Sequence, residues 1–431
     1  MKHLIIGAGA AGISAARTIL KEKNDDSVVI VSQDAEVHSR CMLHKVIAGE
    51  KNAQDINFIN DGLLESERVQ WISGKTVTRL DVVPALKTVY AGEEAGAAGV
   101  AVASGDRVLI ATGANSLVPP VGYFRTAKNA FGLRNLSDAR AIAERAKTAK
   151  KIAVVGAGLV GLDAAYGILQ ASTEATSTEA TSTGAGGREI SVVEMGASVL
   201  AVNLDSRAAA SYRRLFEEKG VRFYLRRKVV NTQGSPDEIN ALKLDDGTRL
   251  ACDMVILAAG VSPATGFLEG SGIELSERRA VNVDDCLATN VPGVYAAGDV
   301  TGLSGVWPNA QKQGEVAGYN MTGTKLAYDD RFALKNTVNF FNLLSVSLGE
   351  INPQNGDEVM IREDRNNYRK LILRDGVPVG IILQGEIGGS GFWQYLIKNK
   401  VRIDNLGKSP WKVSYADFYG VENNGEYKWV V

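Results

Sequence analysis

Three features of the sequence predict an α/β chain: two strand-to-helix units built alike, and a C-terminal block in which alternating strands precede one helix. The first unit is His3 to Gly12, an apolar run broken at Gly7, Gly9 and Gly12 and followed by the helix-compatible stretch Ile13 to Lys23. The second is Ile152 to Gly161, with Gly156, Gly158 and Gly161 in the same Gly-x-Gly-x-x-Gly spacing. In each, the first glycine permits a tight turn, the second lets backbone approach a pyrophosphate, and the third lets helix pack on strand. The phosphates then meet unpaired N–H groups at a helix N-terminus. One such turn can serve packing alone, whereas two in one chain predict two Rossmann-like dinucleotide-binding domains. The block Asn336 to Leu406, with strands at Tyr368 to Leu373 and Val377 to Leu383 and a helix at Gly391 to Lys400, predicts a small α+β domain.

Composition narrows the class. A length of 431 residues suits about three domains, and 48 Lys and Arg against 49 Asp and Glu leave no net field to favour nucleic acid or a membrane surface. No apolar run approaches a membrane span of about 18 residues. Leu4 to Ala16 has the apolarity of a secretion signal, but its glycine spacing and the following Arg17 and Lys21 fit a Rossmann start, so a cytoplasmic protein is expected. Cys41, Cys252 and Cys286 form no C-x-x-C pair, which predicts no metal site and no iron–sulfur cluster within the chain.

In chain order, Ser27 to Ser32 reads as the second strand, with Gln33 and Asp34 placed to hold an adenosine ribose. Asp34 fits a solvated turn almost as well. Val69 to Val102 alternates as a small antiparallel excursion, ending in the strand Arg107 to Ala111. Pro119-Pro120 marks a linker and Ser137 to Lys147 a helix. In the second unit the strand Ile190 to Val193 ends at Glu194. Gly156 to Glu194 spans 38 positions against 26 from Gly7 to Gln33, an excess of 12 that equals the length of the low-complexity run Ser172 to Thr183. That run is expected to be a disordered insert. A carboxylate at 194 accepts both ribose hydroxyls and repels the extra phosphate of NADPH, and no arginine follows until Arg207, so NADH is favoured. Arg188, or an arginine distant in sequence, leaves the alternative open. Arg207 to Lys219 reads as a helix and Asp245-Asp-Gly247 as a hairpin turn. The tail from Gly407, with Trp411, Tyr415, Phe418, Tyr419, Tyr427 and Trp429, is aromatic enough to predict packing on a partner chain.

Several segments resemble one family. Val37 to Lys45 resembles the flavin-facing stretch of the pyridine nucleotide oxidoreductases related to rubredoxin, ferredoxin and nitrite reductases, with Arg40, Leu43 and Lys45 matching and Cys41 in place of a proline. Cys41 stands eight residues before Gly49, similar to the redox cysteine of NADH oxidases and CoA-disulfide reductases, but Met42 follows it where those enzymes carry glycine. The segment through Thr112 and Gly113, the return strand Met254 to Gly260, the run Val294 to Asp299 and the helix opening at Trp307 and Ala310 resemble the same family.

The resemblance implies an FAD domain of residues 1–115 and 250–325, interrupted by an NAD domain of residues 116–249 with the insert at 172–183. A C-terminal interface domain (326–406) and the aromatic tail (407–431) follow. It implies FAD contacts at Gly7, Gly9, Gly12, Gln33, Asp34, Arg40, Thr112, Gly113, Gly298, Asp299, Trp307 and Ala310. NAD(H) contacts are implied at Gly156, Gly158, Gly161, Glu194 and Gly260. Lys45 and Asp163 occupy the positions of a lysine–acid pair beside flavin N5, with Asp shorter than the usual Glu. Cys41 is either a redox thiol or a small apolar side chain next to the flavin. The implied activity is hydride exchange with NAD(H) and electron transfer to or from iron–sulfur subunits, as in a 2-oxoacid (phenylglyoxylate) dehydrogenase complex. Two alternatives stay open: a stand-alone NADH oxidase, peroxidase or CoA-disulfide reductase using Cys41, and an NADH-responsive binding flavoprotein.

Overall fold

The computed structural model describes residues 1–83, 86–92, 99–175, 187–330 and 335–429. They form two units: residues 1–197 with 217–329, and residues 198–216 with those from 330 onward. Among the described residues no helix is long and apolar enough to cross a membrane.

The first unit holds two parallel five-stranded sheets. In one, the order is Val294–Ala296, Arg107–Ile110, Lys2–Ile6, Ser27–Val31, Val69–Ile72. Lys2–Ile6 lies in the middle, and Leu4 and Ile5, which face opposite sides, are both 0% exposed. Ile5 packs under the helices Ala10–Glu22 and Trp307–Met321, and Leu4 packs over a three-stranded antiparallel sheet of Val77–Val83, Leu86–Ala91 and Val100–Gly105. The expected antiparallel excursion is therefore shorter than its sequence span, because Val69–Ile72 pairs in parallel with Ser27–Val31.

The other sheet repeats the plan, in the order Arg222–Leu225, Glu189–Glu194, Lys151–Val155, Met254–Leu257, Ala130–Gly132. Met254–Leu257 pairs with Lys151–Val155, so this half runs past residue 249. The helix after the second glycine turn extends over Leu159–Ala175. The first residues of the expected insert 172–183 are thus helical, and the rest lies outside the described residues.

The second unit is an antiparallel sheet ordered Lys335–Phe340, Leu343–Gly349, Val377–Gln384, Tyr368–Arg374, Glu358–Glu363, with the helix Ser390–Lys398 packed on it. Residues 198–216 belong here, apart from the rest of the 116–249 span. Tyr212 Oη lies 2.9 Å from Leu343 O and 2.8 Å from Ser345 Oγ, and Phe216 meets Phe340 edge to face. The aromatic tail folds onto the same unit, with Tyr415 and Tyr419 left 49% and 47% exposed. Phe418 is 1% exposed against Phe392, and Trp429 sits within 5.0–6.2 Å of the rings of Tyr395, Tyr415, Phe418 and Tyr419. Phe418→Ala is expected to destabilise this unit by about 3–5 kcal/mol, read as an earlier thermal transition in tryptophan fluorescence.

Candidate functional site

The two glycine turns share one geometry. Gly7 has φ +108°, and a Cβ there would lie 2.3 Å from Ala111 O; Gly156 has φ +111°, and its Cβ would lie 2.2 Å from Ala258 O. Each first glycine therefore lets one strand's turn press against its parallel neighbour. Gly12 and Gly161 serve the helix, since a Cβ at either would stand 2.0 Å from the carbonyl oxygen of the first glycine. Gly9 and Gly158 differ, because a Cβ at either meets nothing within 4 Å. The space beside the second glycine is open to a ligand. Helix Ala10–Glu22 has no side-chain cap on Gly9 and no acid in its first turn, so its N-terminal N–H groups and dipole face that space.

Two adjoining clefts, of about 240 and 110 Å³, open there and share Gly9, Arg40 and Ala111. The first is lined by Gly7, Gly9, Gln33, Asp34, Arg40 and Thr112. The second is lined by Gly9, Arg40, Gly113, Gly298, Asp299, Trp307 and Ala310, together with Cys41. Of the residues expected around FAD, Gly12 alone stands outside both linings, in the packing role just described. Trp307 lines the second cleft and stacks edge to face on Phe58 at 4.9 Å.

Sequence reasoning missed Arg134. Its guanidinium donates to Ala114 O at 2.8 Å and pairs with Asp299, and its Nη2 lies 3.6 Å from where a Gly113 Cβ would be, with Arg40 Nη1 at 3.4 Å from the same point. Two guanidiniums thus converge over Gly113. Burial, and then the Arg134 cation, bring the Arg40 pKa down to about 10. Two cations, an open helix N-terminus and a glycine cradle form a donor set that fits a pyrophosphate. Gln313, 0% exposed, was also missed. Its Oε1 accepts the Gly298 N–H at 2.7 Å and faces Thr301 Oγ1 at 3.3 Å, which pins the loop carrying Asp299.

The expected Lys45–Asp163 pair is not formed. Lys45 Nζ donates to Glu50 Oε2 at 3.2 Å, and Asp163 Oδ1 faces His44 Nδ1 at 3.7 Å. Burial raises the Asp163 carboxyl to about 7. Cys41 lines the second cleft and is exposed. Burial by the surrounding chain, then the carboxylates of Asp163 and Asp299, push its thiol above the usual range, against the thiolate a redox cysteine needs.

At the second turn, Glu194 accepts the Ala157 N–H at 2.8 Å and the Gly196 N–H at 2.6 Å, which fixes its carboxylate against the open space at Gly158. Gly260, at φ +117°, accepts the Leu117 N–H at 2.9 Å. Distant arginines do approach: Arg226 N donates to Gly196 O and Arg227 N to Glu194 O, each at 3.0 Å. The Arg227 side chain is taken by Asp246 at 2.6 Å.

The family pattern described as pyridine nucleotide-disulphide oxidoreductase matches residues 1–314, and the rubredoxin NAD+ reductase C-terminal domain matches residues 335–401. Nitrite reductase [NAD(P)H] of Bacillus subtilis is 26% identical over 415 residues, covering 94% of this chain and 48% of the relative, so this chain spans about half of that protein's length. The NADH-dependent phenylglyoxylate dehydrogenase subunit epsilon of Aromatoleum evansii is 28% identical over 422 residues, covering 94% and 93%. A ferredoxin reductase structure from Rhodopseudomonas palustris shares the fold, with a TM-score of 0.78 at 20% identity over 93% of this chain and 95% of that one. With its glycine turns and clefts inside the matched 1–314, this chain belongs to the pyridine nucleotide-disulphide oxidoreductase family and is an NAD(H)-dependent flavin oxidoreductase that binds FAD and NAD(H).

Proposed function

We propose that this chain is an electron-transfer flavoprotein subunit that exchanges hydride with NAD(H) and passes electrons to or from an iron–sulfur or rubredoxin-type partner. A 2-oxoacid (phenylglyoxylate) dehydrogenase complex is the first assembly to test. When bound, FAD supplies hydride and single-electron chemistry, and the chain supplies position and electrostatics. In this reading Gly7, Gly9, Arg40, Thr112 and Gly113 hold the dinucleotide backbone, Gln33 and Asp34 the adenosine ribose, and Gly298 and Asp299 the ribityl chain. Trp307 and Ala310 bound the ring end. Gly156, Gly158, Gly161, Glu194 and Gly260 hold NAD(H), and the fixed carboxylate of Glu194 favours NADH over NADPH.

The observation that carries the reading is Cys41. It is the one cysteine lining either cleft, and its raised thiol pKa favours the protonated, unreactive form. An acceptor outside the chain accords with this, and with the rubredoxin-reductase-type C-terminal domain. Cys41→Ser is expected to keep NADH turnover with an artificial one-electron acceptor within about twofold, and native pull-down with mass spectrometry is expected to recover an iron–sulfur protein. A hundredfold loss in Cys41→Ser, with the chain isolated as a lone active oxidase, would favour the thiol-dependent reading. Absence of sustained turnover with any iron–sulfur partner would favour a binding flavoprotein.

A further inference from the structure

Beside Cys41, the short helix Leu43–Ala48 packs against Leu159–Ala175 so closely that a Cβ on Gly167 would lie 2.5 Å from His44 O. That contact seats His44 opposite Asp163. The imidazole Nδ1 is buried, makes no hydrogen bond among the described residues, and points at Asp163 Oδ1 from 3.7 Å, with the two side chains 18% and 29% exposed. A closure of about 1 Å turns this approach into a hydrogen bond. A histidine can give up its charge near neutrality, whereas a lysine here would be a standing cation.

We propose that His44 and Asp163 form a proton-holding pair that takes up the proton balancing the charge of two electrons entering the site. This rests on the reading above that flavin fills the cleft lined by Cys41. NADH gives up two electrons and one proton as hydride. The second proton of the reduction comes from solvent and rests on the pair. When the electrons leave singly for an iron–sulfur acceptor, both protons return to solvent and the balance closes.

The neighbouring charges leave this role to the pair. On its own helix and just beyond, Lys45 and Glu50 are bonded to each other, and they act on the His44 pKa in opposite directions. Tyr166, on the facing helix, places its ring centroid 6.4 Å from that of His44. Arg40 and Cys41 precede the helix. On the helix Leu136–Ala146, which also packs here, Asp138 accepts the backbone N–H groups of Arg134 and Asn135. Its other charges, Arg140, Glu144 and Arg145, pair with Glu36, Lys147 and Glu238. Burial lowers the His44 pKa and raises that of Asp163, so each holds its neutral form more readily than it would in water.

Two measurements on the intact flavoprotein test this. The sequence holds three histidines, so nitrogen-15 imidazole spectra of the oxidised and reduced protein can be assigned by single substitution. The pair is expected to gain a proton on reduction, seen at the His44 imidazole or, in carbon-13 carboxyl spectra, at Asp163, and unchanged protonation of both groups would overturn the proposal. In mediator titrations of the flavin potential between pH 6 and 9, the unsubstituted protein is expected to show a break in protons taken up per two electrons. His44→Asn and Asp163→Asn should each lose that break and Asp163→Glu should keep it; persistence in both Asn variants would also overturn the proposal. Because mediators need neither NADH nor a partner, failure of reduction by NADH would count against the proposed function alone.

Discussion

Gly9→Ala is expected to yield a folded protein without flavin, whereas Gly7→Ala is expected to damage the fold itself. The two sites are two residues apart and differ in what surrounds them. At Gly9 the backbone is extended, at φ −79° and ψ −172°, which alanine adopts freely, and the added methyl meets no protein atom within 4 Å. Losing glycine at this helix N-cap costs at most about 1 kcal/mol. The methyl instead occupies the space in which a pyrophosphate would approach backbone, so flavin content should fall towards zero with little change in melting temperature. At Gly7 alanine must hold φ +108°, at about 1–3 kcal/mol, and press its methyl to 2.3 Å from Ala111 O. Relief requires moving Lys2–Ile6 from its parallel partner Arg107–Ile110, so the total should exceed about 3 kcal/mol, a large share of ordinary stability. The second turn repeats the contrast: Gly158→Ala should keep flavin and melting temperature but lose NADH binding, and Gly156→Ala should unfold. Flavin absorbance, thermal melts and NADH titration check all four. A Gly9→Ala protein that retains flavin at the original affinity would move the pyrophosphate elsewhere.

Those glycines were legible in the sequence because each position needs a missing side chain, at Gly7 and Gly156 for a positive φ and a close backbone approach and at Gly9 and Gly158 for open space, and the spacing shows it without coordinates. Asp299 was legible only by resemblance, since an isolated aspartate after a strand fits many turns. Arg134 left no such trace. Its value arises where it meets Asp299, 165 positions away, and Arg40. Gln313 is hidden likewise, as one polar residue on a helix until the Gly298 loop folds over it. The Lys45–Asp163 expectation failed on helical geometry. Neighbouring residues on a helix diverge by about 100°, so with Leu43–Ala48 seated against Leu159–Ala175, His44 faces Asp163 and Lys45 turns to Glu50. The aromatic tail was legible only in part. Composition shows that rings will be covered but not which chain covers them, and here the Ser390–Lys398 helix supplies that surface.

Asp299→Ala is expected to weaken flavin binding by about 100-fold or more, and the outcome with Arg134 altered as well decides why. Asp299 and Arg134 are 20% and 18% exposed, and removing one member of this partly buried pair costs at most the ~3–5 kcal/mol of a fully buried one, because the other charge is left behind. That penalty falls mainly on the empty protein. A dinucleotide carries negative charge that would compensate the freed Arg134 and Arg40, so ion-pair loss alone should lower stability without flavin and leave affinity undiminished or raised. If Asp299 instead accepts hydrogen bonds from the ribityl chain, as proposed, its removal costs the bound state directly, about 2.8 kcal/mol for 100-fold. A double-mutant cycle separates the two. With Arg134→Leu alongside, the stability loss of the flavin-free protein should be partly relieved, since no unpaired guanidinium remains, while flavin affinity should stay low. Recovery of affinity in the double variant would reduce Asp299 to a partner of Arg134 and take the ribityl contact away from it. Equilibrium flavin release, followed by fluorescence beside thermal melts of the flavin-free proteins, gives both sides of the cycle.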